Sequence, residues 1–287
     1  MHATFHIRRR YQKSNTMKNL LKNTIALILT LIILSSCSEQ KTSYHYFFSQ
    51  NLNGKVKNIK QSIYNVEERF GEIVIKKPRS SGISEYSDFW MVDSKEWFDL
   101  TFDKNNNLLK EKLFYSSYDF KSPSETIIYK NNIGTIYDEK GLETGDKIHI
   151  KTRPNSTIYE TNWTNKDNKI TYRDHFVYNK KLLTEYLEFN VKDGKEEKAS
   201  KHSFVFKDNL LIQEIFYDSD GLEKLKIKHE YNYNRIRKSS LISVPNKSIK
   251  KTQYDYKFDS KNNWITEVTK INDKPIYIAK REIEYYK

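Results

Sequence analysis

Apolar and polar side chains alternate residue by residue through much of this chain, and that alternation restricts it to sheet. From Leu225 to Tyr233, Leu225, Ile227, His229, Tyr231 and Tyr233 fall on one face and Lys226, Lys228, Glu230 and Asn232 on the other. From Gln253 to Asp259, Tyr254, Tyr256 and Phe258 oppose Gln253, Asp255, Lys257 and Asp259. Successive strand side chains point to opposite faces, so both segments read as strands with one buried and one wet face. No stretch after Cys37 carries a helical period. A one-sided sheet without helices to cover it has to fold onto itself. The predicted class is therefore all-β, with antiparallel hairpin repeats forming a long curled sheet, a sandwich or a barrel. The 21 Tyr and 15 Phe against 8 Gly and 5 Pro fit strands better than low-complexity chain.

Four segments share one grammar: an aromatic strand end, a turn of Asp, Asn and Lys, a bulky apolar pair, and a Glu. They run from Phe102 to Glu111, Phe176 to Glu185, Phe204 to Glu214 and Tyr256 to Glu267. Asn and Asp accept left-handed backbone and bond their own main chain, so these segments predict hairpin turns. A second turn alternates with the first: Tyr137-Asp138-Glu139-Lys140-Gly141-Leu142 matches Tyr217-Asp218-Ser219-Asp220-Gly221-Leu222. Phe176 and Phe204 lie 28 residues apart, as do Leu182 and Leu210, which accommodates two strands and two turns.

The N-terminal region carries an address. Met17-Lys18-Asn19-Leu20-Leu21-Lys22 is a basic start, Thr24 to Leu34 is an apolar run too short to span a bilayer comfortably, and Leu34-Ser35-Ser36-Cys37 follows. Residues 17–36 thus predict a helical signal peptide, 37–50 a polar tether and 51–287 the hairpin-repeat domain. Met1 to Thr16 precede a complete signal peptide, which places the expected start at Met17. Six of the 50 basic residues and none of the 37 acidic ones lie in 1–36. The remainder therefore has 44 basic against 37 acidic residues, a net of +7 that suits a solvated surface, and no nucleic-acid partner is expected. A single Cys excludes an intrachain disulfide or a Cys-rich metal site.

Leu34-Ser35-Ser36-Cys37 resembles the lipobox of bacterial lipoproteins. That resemblance implies lipid on Cys37 and a membrane partner through the anchor, and Ser38 implies outer-membrane retention with the leaflet open. The Tyr-Asp-x-x-Gly-Leu turns resemble degenerate YD-repeat (Rhs-type) hairpins. The opening Leu52-Asn53-Gly54-Lys55-Val56-Lys57 and the ending through Asn263-Trp264, Asn272-Asp273-Lys274-Pro275 and Arg281 to Tyr286 resemble repeat lipoproteins of Gram-negative bacteria. Several turn glycines of that pattern are Asn or Lys here. The resemblance implies a scaffold.

Chemistry is sparse. His149, His175, His202 and His229 are spaced 26, 27 and 27 residues apart, near the repeat period. However, His175 precedes its aromatic by one residue and His202 by two, which places them on opposite faces. His149 falls on the polar face and His229 on the apolar one, so no metal site is expected. There is no phosphate loop, no Gly-x-Ser-x-Gly elbow and no His-Glu-x-x-His, and no cofactor is expected. Adjacent carboxylates such as Glu67-Glu68 point to opposite faces. Trp90, Trp97 and Trp163 are the candidate ligand-contacting aromatics, with strand-end core positions as the plainer alternative. The expectation is a non-catalytic binding or structural platform for a glycan, a cell-wall polymer or an envelope protein, of open oligomeric state. The alternatives are an envelope hydrolase whose carboxylates are assembled by the fold, and an immunity or accessory protein of a toxin system.

Overall fold

A computed structural model describes residues 52–78 and 97–287, apart from 106, 115–119, 154–157, 181, 235 and 247–248. The described chain has no helix and seventeen strands: β1 (Val56–Arg69), β2 (Glu72–Pro78), β3 (Phe98–Phe102), β4 (Leu108–Leu113), β5 (Glu125–Lys130), β6 (Ile133–Tyr137), β7 (Glu143–Thr152), β8 (Ile158–Thr164), β9 (Ile170–Asn179), β10 (Leu182–Lys192), β11 (Lys195–Lys207), β12 (Leu210–Tyr217), β13 (Glu223–Tyr231), β14 (Arg237–Ser243), β15 (Lys250–Phe258), β16 (Trp264–Ile271) and β17 (Lys274–Tyr285). From β3 to β17 each strand pairs antiparallel with the next, and β17 pairs with β1, which pairs with β3. Sixteen strands therefore close a barrel, one of the three arrangements the alternation allowed. The remaining strand, β2, folds back on β1. It bonds Tyr64 to Arg69 where β3, which bonds Asn58 to Gln61, has ended.

The seam joins the two ends of the domain. Val56 opposes Tyr285 and Asn65 opposes Tyr277 along β1 and β17. Asn263 fastens it from the β15–β16 turn. Its Oδ1 accepts the Asn53 N–H at 2.6 Å, and its Nδ2 donates to the Asn53 carbonyl at 2.8 Å and to the Tyr285 hydroxyl at 2.6 Å. Tyr285 in turn donates to Asp259.

Six turns repeat one geometry, beginning at Asp103, Asp138, Asn165, Asp218, Asn232 and Asp259. In each, the first residue's N–H bonds the carbonyl four residues on, and its Oδ1 accepts the N–H groups two and four residues on. The side chain supplies acceptors that a tight chain reversal leaves missing. Asn131-Asn132, Asp208-Asn209 and Asn272-Asp273 instead make two-residue turns with both φ positive. The two turn families of the sequence are thus divided differently in space. Asp103 and Asp259 share the loop of Asp138 and Asp218, whereas Asp208 makes a tight turn.

A β-bulge recurs near the start of at least nine strands, β4, β10, β12 and β16 among them. Register slips past Leu109 in β4, Thr184 in β10, Ile212 in β12 and Ile265 in β16. Two residues there oppose one, so residues three apart share a face. Leu108 and Glu111, Leu183 and Tyr186, Leu211 and Glu214, and Trp264 and Glu267 consequently all turn inward.

The inward face holds the core. Ile59, Phe98, Leu100, Ile127, Ile148, Ile150, Phe176, Leu183, Tyr186, Phe204 and Leu211 belong to one buried cluster drawn from strands around the ring. The outward face is charged to the middle of its strands, with Arg173, Lys201, Lys228, Asp255 and Lys280 all lying there, each flanked by inward neighbours. Ion pairs link it, among them Lys151 to Glu160 at 2.6 Å and Lys270 to Asp255 at 2.5 Å.

Candidate functional site

Among the described residues, two extended polar networks stand out within the apolar interior. The first is a row across four neighbouring strands, because the register sets Thr161 opposite Asp174, Asp174 opposite Glu188 and Glu188 opposite Ser200. Asp174 is fully buried. Its Oδ2 accepts the Thr161 hydroxyl at 2.5 Å and Trp163 Nε1–H at 3.2 Å. The Tyr186 hydroxyl lies 2.8 Å from Asp174 Oδ1 and 3.0 Å from Glu188 Oε1, and Ser200 donates to the other Glu188 oxygen.

That hydroxyl has one hydrogen and faces two carboxyl groups, so both contacts are hydrogen bonds only when one carboxyl supplies a second proton. Asp174 is the group placed to hold it. Burial pushes its pKa up to about 6, against the pull of its three hydrogen-bond donors. His202 lies on the other side of Tyr186, with ring centroids 5.4 Å apart, and Phe216 stands 4.8 Å away. Burial lowers His202 to about 4, so its imidazole is neutral over most of the accessible pH range.

The second centre spans β12 to β16. His229 Nε2 is 2.7 Å from Glu214 Oε1, and Nδ1 is 2.8 Å from Ser240 Oγ. With Glu214 ionised, Nε2–H donates to it and Nδ1 accepts the serine hydroxyl, whose oxygen accepts from Tyr254 at 3.2 Å. The Arg237 guanidinium lies 4.0 Å from the Tyr254 ring centroid and 3.5 Å from Glu267 Oε2, and Thr269 donates to Glu267 Oε1 at 3.0 Å. The connectivity is that of a serine, histidine and carboxylate relay. Ser240 and Glu214 are each 1% exposed and His229 8%, so the three form a hydrogen-bonded chain buried inside the wall. Near the seam, the Arg281 guanidinium stacks on Trp264 at 3.3 Å and donates through Nε to Gln61 at 2.9 Å.

The sequence-derived positions fall as follows. Trp97 is 1% exposed, donates Nε1–H to the Ile63 carbonyl at 3.2 Å and packs in a cluster with Ile63, Phe114, Tyr277 and Ala279. Trp163 is half-buried against the main core, with its N–H on Asp174. Cys37, Trp90, the signal peptide and the tether lie outside the described residues. His175 and His202 occupy opposite faces, as their register requires, and His229 is inward. Sequence reasoning did not single out Asp174, Tyr186, Glu188, Glu214 or Ser240. Asp174 left a trace, as a carboxylate at an apolar-face position between Tyr172 and Phe176.

No family model and no curated protein matches this chain. Among solved structures it is similar to a porin-like protein from Bacteroides uniformis ATCC 8492. The TM-score is 0.50 at 12% identity, over 81% of this chain and 98% of that one. A TcdB2-TccC3 structure without its hypervariable C-terminal region gives 0.25 at 10% identity, over 63% of this chain and 13% of that one. The Tc holotoxin pore of Photorhabdus luminescens gives 0.13 at 9%, over 61% and 14%. At these identities the first likeness concerns the fold, a closed antiparallel barrel.

Proposed function

We propose that this chain is a lipid-anchored envelope protein whose barrel stands in the aqueous phase beside an outer membrane and serves as a non-catalytic binding or structural platform. The observation that carries this is the direction of the barrel's two faces. A charged side chain facing lipid at the bilayer midplane costs roughly 2–4 kcal/mol for Lys or Arg. Arg173, Lys201, Lys228 and Lys280 all face outward from mid-strand, while the interior is packed with apolar side chains. Such a wall is suited to water, and contact with the membrane falls to the lipobox-like segment ending in Cys37. The platform's partner is a glycan, a cell-wall polymer or an envelope protein. Labelling with radioactive palmitate tests the anchor: the wild type takes up label and Cys37→Ala does not, while the variant barrel is recovered in the soluble fraction. Retention of purified cell-wall material on immobilised protein tests the platform, and failure to retain any envelope component counts against it.

A second reading, an envelope hydrolase, is favoured by Asp174 and Glu188. Both bond one tyrosine oxygen, which holds them near the about 5–5.5 Å separation of the carboxyl groups in retaining glycosidases. Glu188 is half-buried, less enclosed than Asp174, and Trp163 flanks the acid. Release of reducing ends from envelope glycans, lost in Asp174→Asn and in Glu188→Gln, would establish it; its absence in the wild type removes it.

A further inference from the structure

Among the described strands, the ring leaves one outside it. Among the described residues β2 pairs with β1 alone, and its other edge carries backbone groups with no strand beside them. The hairpin is also apolar where it meets water: Phe70 at its turn is fully exposed, and Ile73 and Ile75 are each 39% exposed. An open edge with apolar side chains is a template for another extended strand.

The sequence of β2 indicates which strand fits. Glu72-Ile73-Val74-Ile75-Lys76 is close to its own complement when reversed. In an antiparallel pairing of two such strands centred on Val74, Glu72 meets Lys76 of the partner subunit twice, and Ile73 meets Ile75 of the partner subunit twice. Directly opposed residues share a face, so the isoleucines of both copies cover one another on one face while the opposite charges pair beside Val74 on the other. We propose that β2 is the interface at which two copies of this chain associate, edge to edge, about a two-fold axis through Val74.

This arrangement is isologous, so it closes at two copies and does not propagate. Lys76 already bonds Glu67 across β1 and would then lie between two carboxylates. Pro78, which has no N–H, ends the pairing at the outer end of the strand. The lysines that close this edge to unrelated strands admit one that offers an acid at the matching position. Two seven-residue strands bury well under the about 1,200 Å² of a stable interface, so monomer and dimer exchange.

The test is sedimentation velocity of the full chain, held in mild detergent so that its apolar N-terminal run does not drive association, over a roughly thousandfold concentration range. The wild type is expected to shift from monomer to dimer. Glu72→Lys and Lys76→Glu should each weaken self-association about tenfold or more, because like charges then face each other twice. Mixing these two variants should restore association, since the mixed dimer regains both opposite-charge contacts, a rescue that a misfolded protein cannot give. A wild type monomeric throughout overturns the proposal, as does dimerisation that ignores the charge reversals. Should the chain's own residues 79–96 occupy the edge, the wild type stays monomeric and associates only when they are deleted; should the edge serve an unrelated protein, both forms stay monomeric. Either result also overturns it.

Discussion

Asp174 and His202 flank Tyr186 from opposite sides, and the fold moves their proton affinities in opposite directions, the carboxyl up to about 6 and the imidazole down to about 4. Around pH 5 the unfolded chain carries the proton on His202, while the folded chain carries it on Asp174. Folding thus transfers a proton within this pair and changes the total it holds very little.

The consequence is a concealed pH dependence. Asp174, raised from 3.8 to about 6, stabilises the fold most fully below 3.8, and this contribution is lost as pH rises through 6. His202, lowered from 6.5 to about 4, costs stability below 4 and recovers it as pH rises to 6.5. Each shift of about 2 units corresponds to about 3 kcal/mol, so between pH 4 and 6 the two nearly cancel. Urea unfolding of Asp174→Asn should show stability rising with pH across this window, and His202→Gln should show it falling. Two variants with equally flat profiles would remove the coupling.

Removing one member of the buried relay should cost far more than removing one member of a surface pair. Glu214→Ala leaves His229 facing an empty acceptor position inside the wall and is expected to lose about 3 kcal/mol. Glu185→Ala, which breaks an exposed pair with Lys201, should lose about 0.5 kcal/mol. Denaturant midpoints measured at constant slope decide between these; equal losses would mean that the relay carries no special weight.

The Asp259 turn does two tasks where the Asn165 turn does one. Both side chains accept two backbone N–H groups, but Asp259 also accepts the Tyr285 hydroxyl at the seam. Asn165→Ala should therefore cost about 1 kcal/mol and Asp259→Ala about 2–3 kcal/mol. The companion variant Tyr285→Phe should recover part of the difference when combined with Asp259→Ala, because it removes the hydroxyl hydrogen left without its acceptor, at the cost of the bond that oxygen accepts from Asn263. Additive losses in the double variant would contradict the clasp.

The ends of the barrel domain meet. Tyr286 N–H bonds the Lys55 carbonyl at 2.9 Å, and Asn53 is tied to the same corner. A circular permutant joining Lys287 to Leu52 through a short linker, opened between Asp193 and Gly194, is expected to keep a sheet-type circular dichroism spectrum and a single cooperative melt. A molten, non-cooperative product would show that chain order is needed for closure.

Alternation in the sequence shows strands because it follows from the pleat, and Asp or Asn at strand ends shows turns because the side chain makes the bonds. Ring closure was not legible in this way. Sandwich and barrel have the same alternation, and the pairing that separates them joins Val56 to Tyr285, which no local pattern records. The bulges were hidden as well. Ile212 and Ile265 look like ordinary strand residues, yet skipping them turns Glu214 and Glu267 inward, where strict alternation from Leu211 and Trp264 would turn them outward. The polar centres stayed obscure for that reason, since their members become neighbours only once register is known. Trp163 was visible by its residue type, but its link to Asp174 depends on the pairing of β8 with β9.

Because β17 follows every other described strand and is the partner of β1, no chain cut before it can shut the ring. A nascent polypeptide lacking its final residues exposes two raw margins and an uncovered oily lining at once. Contacts this remote along the chain make for slow folding. Truncation near Tyr277 should therefore yield a species that chaperones and proteases remove, so that closure of the ring acts as its own checkpoint.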